Sequence, residues 1–253
     1  MPSDPRHEGR RHDDRGFDSE FPVEYIPCEG RDNLRRREKI EQVFKGGGNM
    51  RNKKSLIACK IFEHELNKVL SPDTDVAIHW IDAALHANPD RMKKELTDAI
   101  TTAGNNRMDD ICFLFGNGCH PDIREITESC GAQLPSVKNC IQAIIGPEKT
   151  KQLEANRTMV ITPGWITAWP GIMAGLGWDE VDVRINLGRY DRILLLDPGI
   201  VPINDEEILA FYDLVQVPVE IEQVDLTYFR HLIGEILPKA VEKNLCETRL
   251  SGA

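Results

Sequence analysis

Apolar residues in this chain follow two rhythms that alternate from residue 55 onward. Short, nearly unbroken runs, Ser55-Leu56-Ile57-Ala58-Cys59, Ile111-Cys112-Phe113-Leu114-Phe115 and Arg192-Ile193-Leu194-Leu195-Leu196, read as strands, the second of them buried. Between them the apolar positions recur one helical turn apart. Leu66, Val69 and Leu70 follow Glu63; Met92, Leu96 and Ile100 follow the start signal Asn88-Pro89-Asp90; Ile208, Leu209, Tyr212 and Val215 follow the cap at Asn204. Further strands are expected at Asp75–Ile81, weakly at Gln133–Val137, at Thr158–Thr162 and at Val217–Val224. Further helices are expected at Asp122–Ser129, after Asn139-Cys140 and at Tyr228–Leu237. This alternation predicts an α/β fold, a doubly wound and mainly parallel sheet flanked by helices. Two similar halves meeting near residue 157 would be one way of building it.

Two stretches depart from the pattern. Residues 1–49 are dense in Arg, Asp, Glu and His and offer little to bury, so they read as a charged, partly disordered extension to an α/β domain at 50–253. Within them Asp32–Phe44 has the spacing of one short amphipathic helix, with Gly46-Gly47-Gly48 as a joint and Met50 resembling an ordinary protein start. The second stretch, Thr158 to Trp178, carries no charge, but Pro163, Pro170 and four glycines argue against a helix in lipid.

A net charge of -10 argues against nucleic acid, which needs a basic surface, and leaves small molecules or proteins as partners. Seven cysteines without dense pairing or a signal peptide suggest a reducing, cytoplasmic setting where thiols serve metals or catalysis.

The third strand runs into Gly116-Asn117-Gly118-Cys119-His120-Pro121, which delivers a thiol where a strand ends and a helix begins. That edge of a parallel sheet is where ligands bind, and a helix dipole there favours thiolate. If the strands are parallel, Cys59, His86, Cys119 and Cys140 follow the first four in turn and share this edge. Three thiolates and an imidazole are a preferred donor set for Zn2+, with iron as the second candidate. The alternative is that the cysteines are small core hydrophobes, which is the better reading for Cys112. Cys130 reads as a helix end, and Cys28 and Cys246 as tail residues. His64 and His120 are substitutes for His86 as nitrogen donor. Glu65 is a candidate base or hydrogen-bond acceptor, while Asn117, Gly118 and Asp197 are candidate cofactor contacts. No Cys-x-x-Cys, Walker loop or Gly-x-Gly-x-x-Gly is present.

These landmarks resemble the family catalogued as domain of unknown function 1638. The matching pieces are Leu56-Ile57-Ala58-Cys59 with Glu65, Leu85-His86 with Pro89, Phe115-Gly116-Asn117-Gly118-Cys119, and Asn139-Cys140 before Ile145-Gly146. Weaker matches are Thr162 to Trp165 and Tyr190 to Asp197; in all the resemblance spans about residues 55 to 235. Lys60 and Asn139 stand where the family commonly has glycine and histidine. The resemblance implies that Cys59, His86, Cys119 and Cys140 form the metal site. Genes of this family tend to lie near corrinoid-dependent methyltransferases, which implies one-carbon metabolism. The expectation is a zinc- or iron-binding protein acting in or beside corrinoid-linked methyl transfer, with a corrinoid methyltransferase or a small molecule as partner. The rivals are a metal storage, delivery or assembly protein and a metal-dependent hydrolase with Glu65 as base.

Overall fold

Six strands form two three-stranded sheets among the described residues, and every pairing is parallel. The computed structural model describes residues 54–104, 111–238, 240 and 241. All of these fall in one compact unit, Arg51–Ala253. The charged extension with its candidate helix, and Cys28 and Cys246, lie outside the described residues.

The first sheet consists of β1 (Lys54–Cys59), β2 (Val76–Ile81) and β3 (Ile111–Leu114) in the order β2-β1-β3. Central β1 is buried along Leu56 to Cys59 because elements cover both its faces, which is why its sequence is a continuous apolar run. Edge strand β2 is only half-buried over most of its length. The expected strand at Gln133–Val137 is reduced to an isolated bridge between Gln133 and Cys112. Pro135 explains this, since it has no N–H to give a ladder. The segment still lies along the edge of β3, where Phe113 N–H donates to the Gln133 carbonyl at 2.8 Å.

Helices α1 (Glu63–Val69) and α2 (Pro89–Gly104) connect the strands of this sheet, each preceded by a 3-10 turn, Lys60–Phe62 and Ala83–Ala87. Three helices, α3 (Ile123–Ser129), α4 (Cys140–Ile145) and α5 (Pro147–Glu154), lead to the second sheet. There β4 (Thr158–Ile161), β5 (Arg192–Asp197) and β6 (Val219–Gln223) follow one another in sequence order. The break near residue 157 thus separates two parallel sheets of equal size but different strand order, rather than two copies of one topology. Helices α6 (Pro163–Leu176), α7 (Glu180–Leu187), α8 (Asp205–Val215) and α9 (Thr227–Ile236) complete the chain.

The uncharged stretch after β4 is α6, a helix the hydrophobic pattern does not announce. Pro163 occupies its first turn, where a missing N–H costs nothing, and Pro170 is tolerated inside it. No helix among the described residues is long and apolar enough to cross a membrane. Glycines let α6 settle on the loops of the first sheet. A Cβ at Gly164 would lie 2.4 Å from the Ile61 carbonyl oxygen, and one at Gly175 would lie 2.8 Å from Ala87 Cβ. The second half therefore presses directly on the 3-10 turns that follow β1 and β2.

Candidate metal centre

The chain ends β1 on Cys59, turns after β3 to reach Cys119, and begins α4 with Cys140. Asn139 caps α4 by accepting the Gln142 N–H at 2.9 Å, which fixes Cys140 at the first helical position. The turn carrying Cys119 is locked to the same place. A Cβ on Gly116 would lie 2.3 Å from the Lys138 carbonyl oxygen and 2.5 Å from the Asn139 nitrogen, so only glycine fits this crossing. Asn117 and Gly118 extend it by donating their N–H groups to the carbonyls of Val137 and Lys138, at 2.7 and 2.9 Å. These backbone N–H groups tie the turn carrying Cys119 to the segment that leads into Cys140.

The three thiols come close enough to feel one another. Burial pushes the Cys59 thiol well above its ordinary value, the Ile61 N–H opposes this, and Cys140, Cys119 and Asp82 raise it further. Cys119 is pushed up to about 12, first by burial and then by Cys140, against the Gly116 N–H that donates to its sulfur at 3.3 Å. Cys140 is raised by burial and by Glu65, while the Trp165 indole and the N–H groups of Cys140 and Ile141 lower it. The Trp165 Nε1–H reaches the Cys140 sulfur at 3.3 Å.

Trp165 carried only a weak family match in the sequence, with no role attached. It stands in the first turn of α6, after β4, and its link to Cys140 depends on how α6 docks. Glu65 lies on the first turns of α1 and is 1% exposed, and its Oε2 has no hydrogen-bond partner. Loss of solvation lifts its carboxyl to about 7, with its own N–H acting the other way. The Thr162 hydroxyl, at the cap of α6, is likewise buried without a partner.

The histidines divide. His86 stands on the turn Ala83–Ala87, exposed as a residue but with its ring partly buried, where Nδ1–H donates to the Ala83 carbonyl at 2.9 Å and leaves Nε2 with a free lone pair. Loss of solvation lowers its imidazole from the ordinary value; the Ala83 carbonyl opposes this, and His120 adds to the lowering. His120 cannot stand in for it. The Asp122 N–H donates to its Nδ1 at 3.0 Å, so its Nε2 carries the proton and donates to the Pro89 carbonyl at 3.1 Å. His64 lies half-buried on α1. Asp197 ends β5 in the other sheet, where its two oxygens accept from the Gly199 N–H and the Gln223 side chain. It closes the Asp-Pro-Gly turn, and both of its oxygens are engaged.

Among the described residues no group of three or more His, Cys, Asp or Glu side chains is arranged to hold a metal ion in this conformation. The donor types present, three thiol sulfurs and an unpartnered carboxylate oxygen, are of kinds that zinc and iron accept.

Fold and site together define an α/β protein with two parallel sheets and, at the carboxyl edge of the first, three neighbouring thiols, Cys59 buried and Cys119 and Cys140 half-buried. The chain belongs to the family described as Protein of unknown function (DUF1638), whose model matches residues 80–233. Cys119, Cys140 and His86 lie within the matched range, and Cys59 and Glu65 precede it. No curated protein and no solved structure matches the chain.

Proposed function

We propose that this is a metal-thiolate protein in which Cys59, Cys119 and Cys140 bind zinc, with iron as the second candidate. The observation that carries the reading is the surroundings of the sulfurs. Each accepts N–H hydrogen bonds, and the charged groups that act on them, one another, Asp82 and Glu65, are all acidic. A cysteine used on its own as a nucleophile needs an electropositive neighbour to become thiolate. Here burial and acidic neighbours hold all three as thiols, so an incoming cation is the agent that could ionise them together.

Bound zinc would supply a stabilised thiolate at neutral pH, a competent acceptor for an alkyl group. That chemistry suits a role in or beside corrinoid-linked methyl transfer, with a corrinoid methyltransferase or a small methylated molecule as partner. Cys59 is 2% exposed, and Cys119 and Cys140 are half-buried. Elemental analysis of the purified full chain for zinc, iron and sulfide tests the reading. One zinc per chain is expected, lost in Cys59→Ser and in Cys119→Ser; unchanged metal content in both variants would refute it.

A further inference from the structure

Parallel sheets receive ligands at their carboxyl edge, and the second sheet has a cavity there. It encloses about 410 Å³ where Val224 and Asp225 leave β6, bounded by the end of α4, the first turn of α5 and the first turns of α9. That volume suits a small organic molecule. We propose that the cavity binds an organic ammonium ion, an apolar body about the size of an aromatic ring system that carries one charged amine. The site is distinct from the thiols: α4 has Cys140 at its first position and gives the cavity Ile144 and Ile145, at its other end.

The floor and wall are built for an apolar body. Ile144 is buried, Ile145 and Val224 are half-buried, and all three line the cavity. Tyr228 stands over them, 37% exposed although Phe229 beside it on α9 is buried. A Cβ on Gly146 would lie 3.1 Å from two carbons of the Tyr228 ring, so bare backbone at the start of α5 is what lets the ring lie so close.

The charges on the rim decide the sign of the ligand. Lys149 is already answered, since its Nζ lies 2.7 Å from a Glu222 carboxylate oxygen. His231 is answered too, with its Nδ1 3.5 Å from Glu235. Asp225 is not. Its Oδ1 accepts the Thr227 N–H at 2.8 Å, but among the described residues no cation stands within ion-pair distance of it, and Lys149 acts on it only from farther off. With each pair counted as neutral, one negative charge is left over on a rim that also carries an aromatic ring. An ammonium ion satisfies both, pairing with the carboxylate and lying against the ring, while its apolar body covers the isoleucines. A carboxylate or phosphate would have to displace Glu222 from Lys149 and then sit in the field of Asp225.

Tryptamine and indole-3-acetate, which share a ring system and differ in the sign of the charge, test this in ligand-observed NMR titrations of the full chain. Tryptamine is expected to bind at least about tenfold more tightly than indole-3-acetate. Asp225→Asn keeps an acceptor for the Thr227 N–H and removes only the charge, so it should bring the two affinities within about twofold of each other. Tyr228→Ala should weaken tryptamine by about two- to fivefold, and Lys149→Gln, which frees Glu222, should leave it bound at least as tightly as in the parent. Indole-3-acetate binding as well as tryptamine, or better, would overturn the proposal. So would tryptamine binding that is indifferent to both Asp225→Asn and Tyr228→Ala, or no detectable tryptamine binding at about 10 mM.

Discussion

Gly116→Ala isolates the crossing that joins two of the three thiol-bearing segments. The backbone of Gly116 is not in the left-handed region, so alanine meets no conformational penalty there and the effect is purely steric. Its methyl group would sit 2.3 Å from the Lys138 oxygen and 2.5 Å from the Asn139 nitrogen, and backbone atoms cannot swing aside as a side chain can. Forcing a methyl group into such a contact costs about 1–3 kcal/mol. Separation of the segments would also weaken the bonds from Asn117 to Val137 and from Gly118 to Lys138, each contributing about 1 kcal/mol net. A total near 3 kcal/mol corresponds to roughly 6–12 °C in Tm for a domain of this size. Thermal unfolding of the metal-free chain measures it. Labelling of Cys119 by a thiol reagent, expected to be faster in the variant, reports whether the turn has moved. A Tm within about 1 °C of the parent, with unaltered labelling, would show that the crossing does not hold the thiol segments together.

Other consequences are equally direct. The Glu65 carboxyl titrates near 4.5 in its ordinary state and about 7 in the fold. Between those values the unfolded chain has lost the proton that the folded chain keeps, so the stability of the metal-free protein falls as pH rises from about 4.5 to 7. The loss amounts to about 3 kcal/mol. Urea unfolding at pH 5 and pH 8 should show it, and Glu65→Gln should flatten it; equal slopes in the two proteins would remove the buried carboxyl as the cause. Trp165→Phe deletes the indole donor to Cys140, and zinc competition against a chromophoric chelator should show affinity reduced about tenfold. A matched affinity would make the indole a packing residue only. Gly164→Ala should lower stability by about 1–3 kcal/mol in denaturant, because its Cβ would strike the Ile61 carbonyl; an unchanged midpoint would mean that α6 can ride up at no cost.

Much of the architecture was legible because burial leaves a mark on composition. Residues Leu56 to Cys59 and Ile193 to Leu196 are covered on both faces, and their sequences are apolar without interruption. Helix α6 was illegible for the complementary reason: with no charge from Pro163 to Leu176 there is no contrast between faces for a periodicity to show. The strand expected at Gln133–Val137 had the right composition, but Pro135 removes a donor and leaves a single bridge.

At the site, the meeting of Cys59, Cys119 and Cys140 follows from parallel strands, since each thiol stands at a strand end or on a helix entered from the same edge. The surroundings of His86 and His120 do not follow. They depend on tight turns, Ala83–Ala87 and the loop before α3, in which each ring turns to a nearby backbone group. The bond from Trp165 to Cys140 was out of reach for another reason: it spans the two sheets, and no local pattern encodes their docking.

That docking bears on how the protein matures. Cys59, Cys119 and Cys140 have all been synthesised before β4 begins, yet the indole that reaches Cys140 and the glycine that seats against Ile61 arrive only with α6. A nascent chain halted at residue 157 would carry these three thiols without the indole that donates to Cys140. During that interval Cys140 lacks its indole donor, so the surroundings of the three thiols are completed only by the second half of the chain.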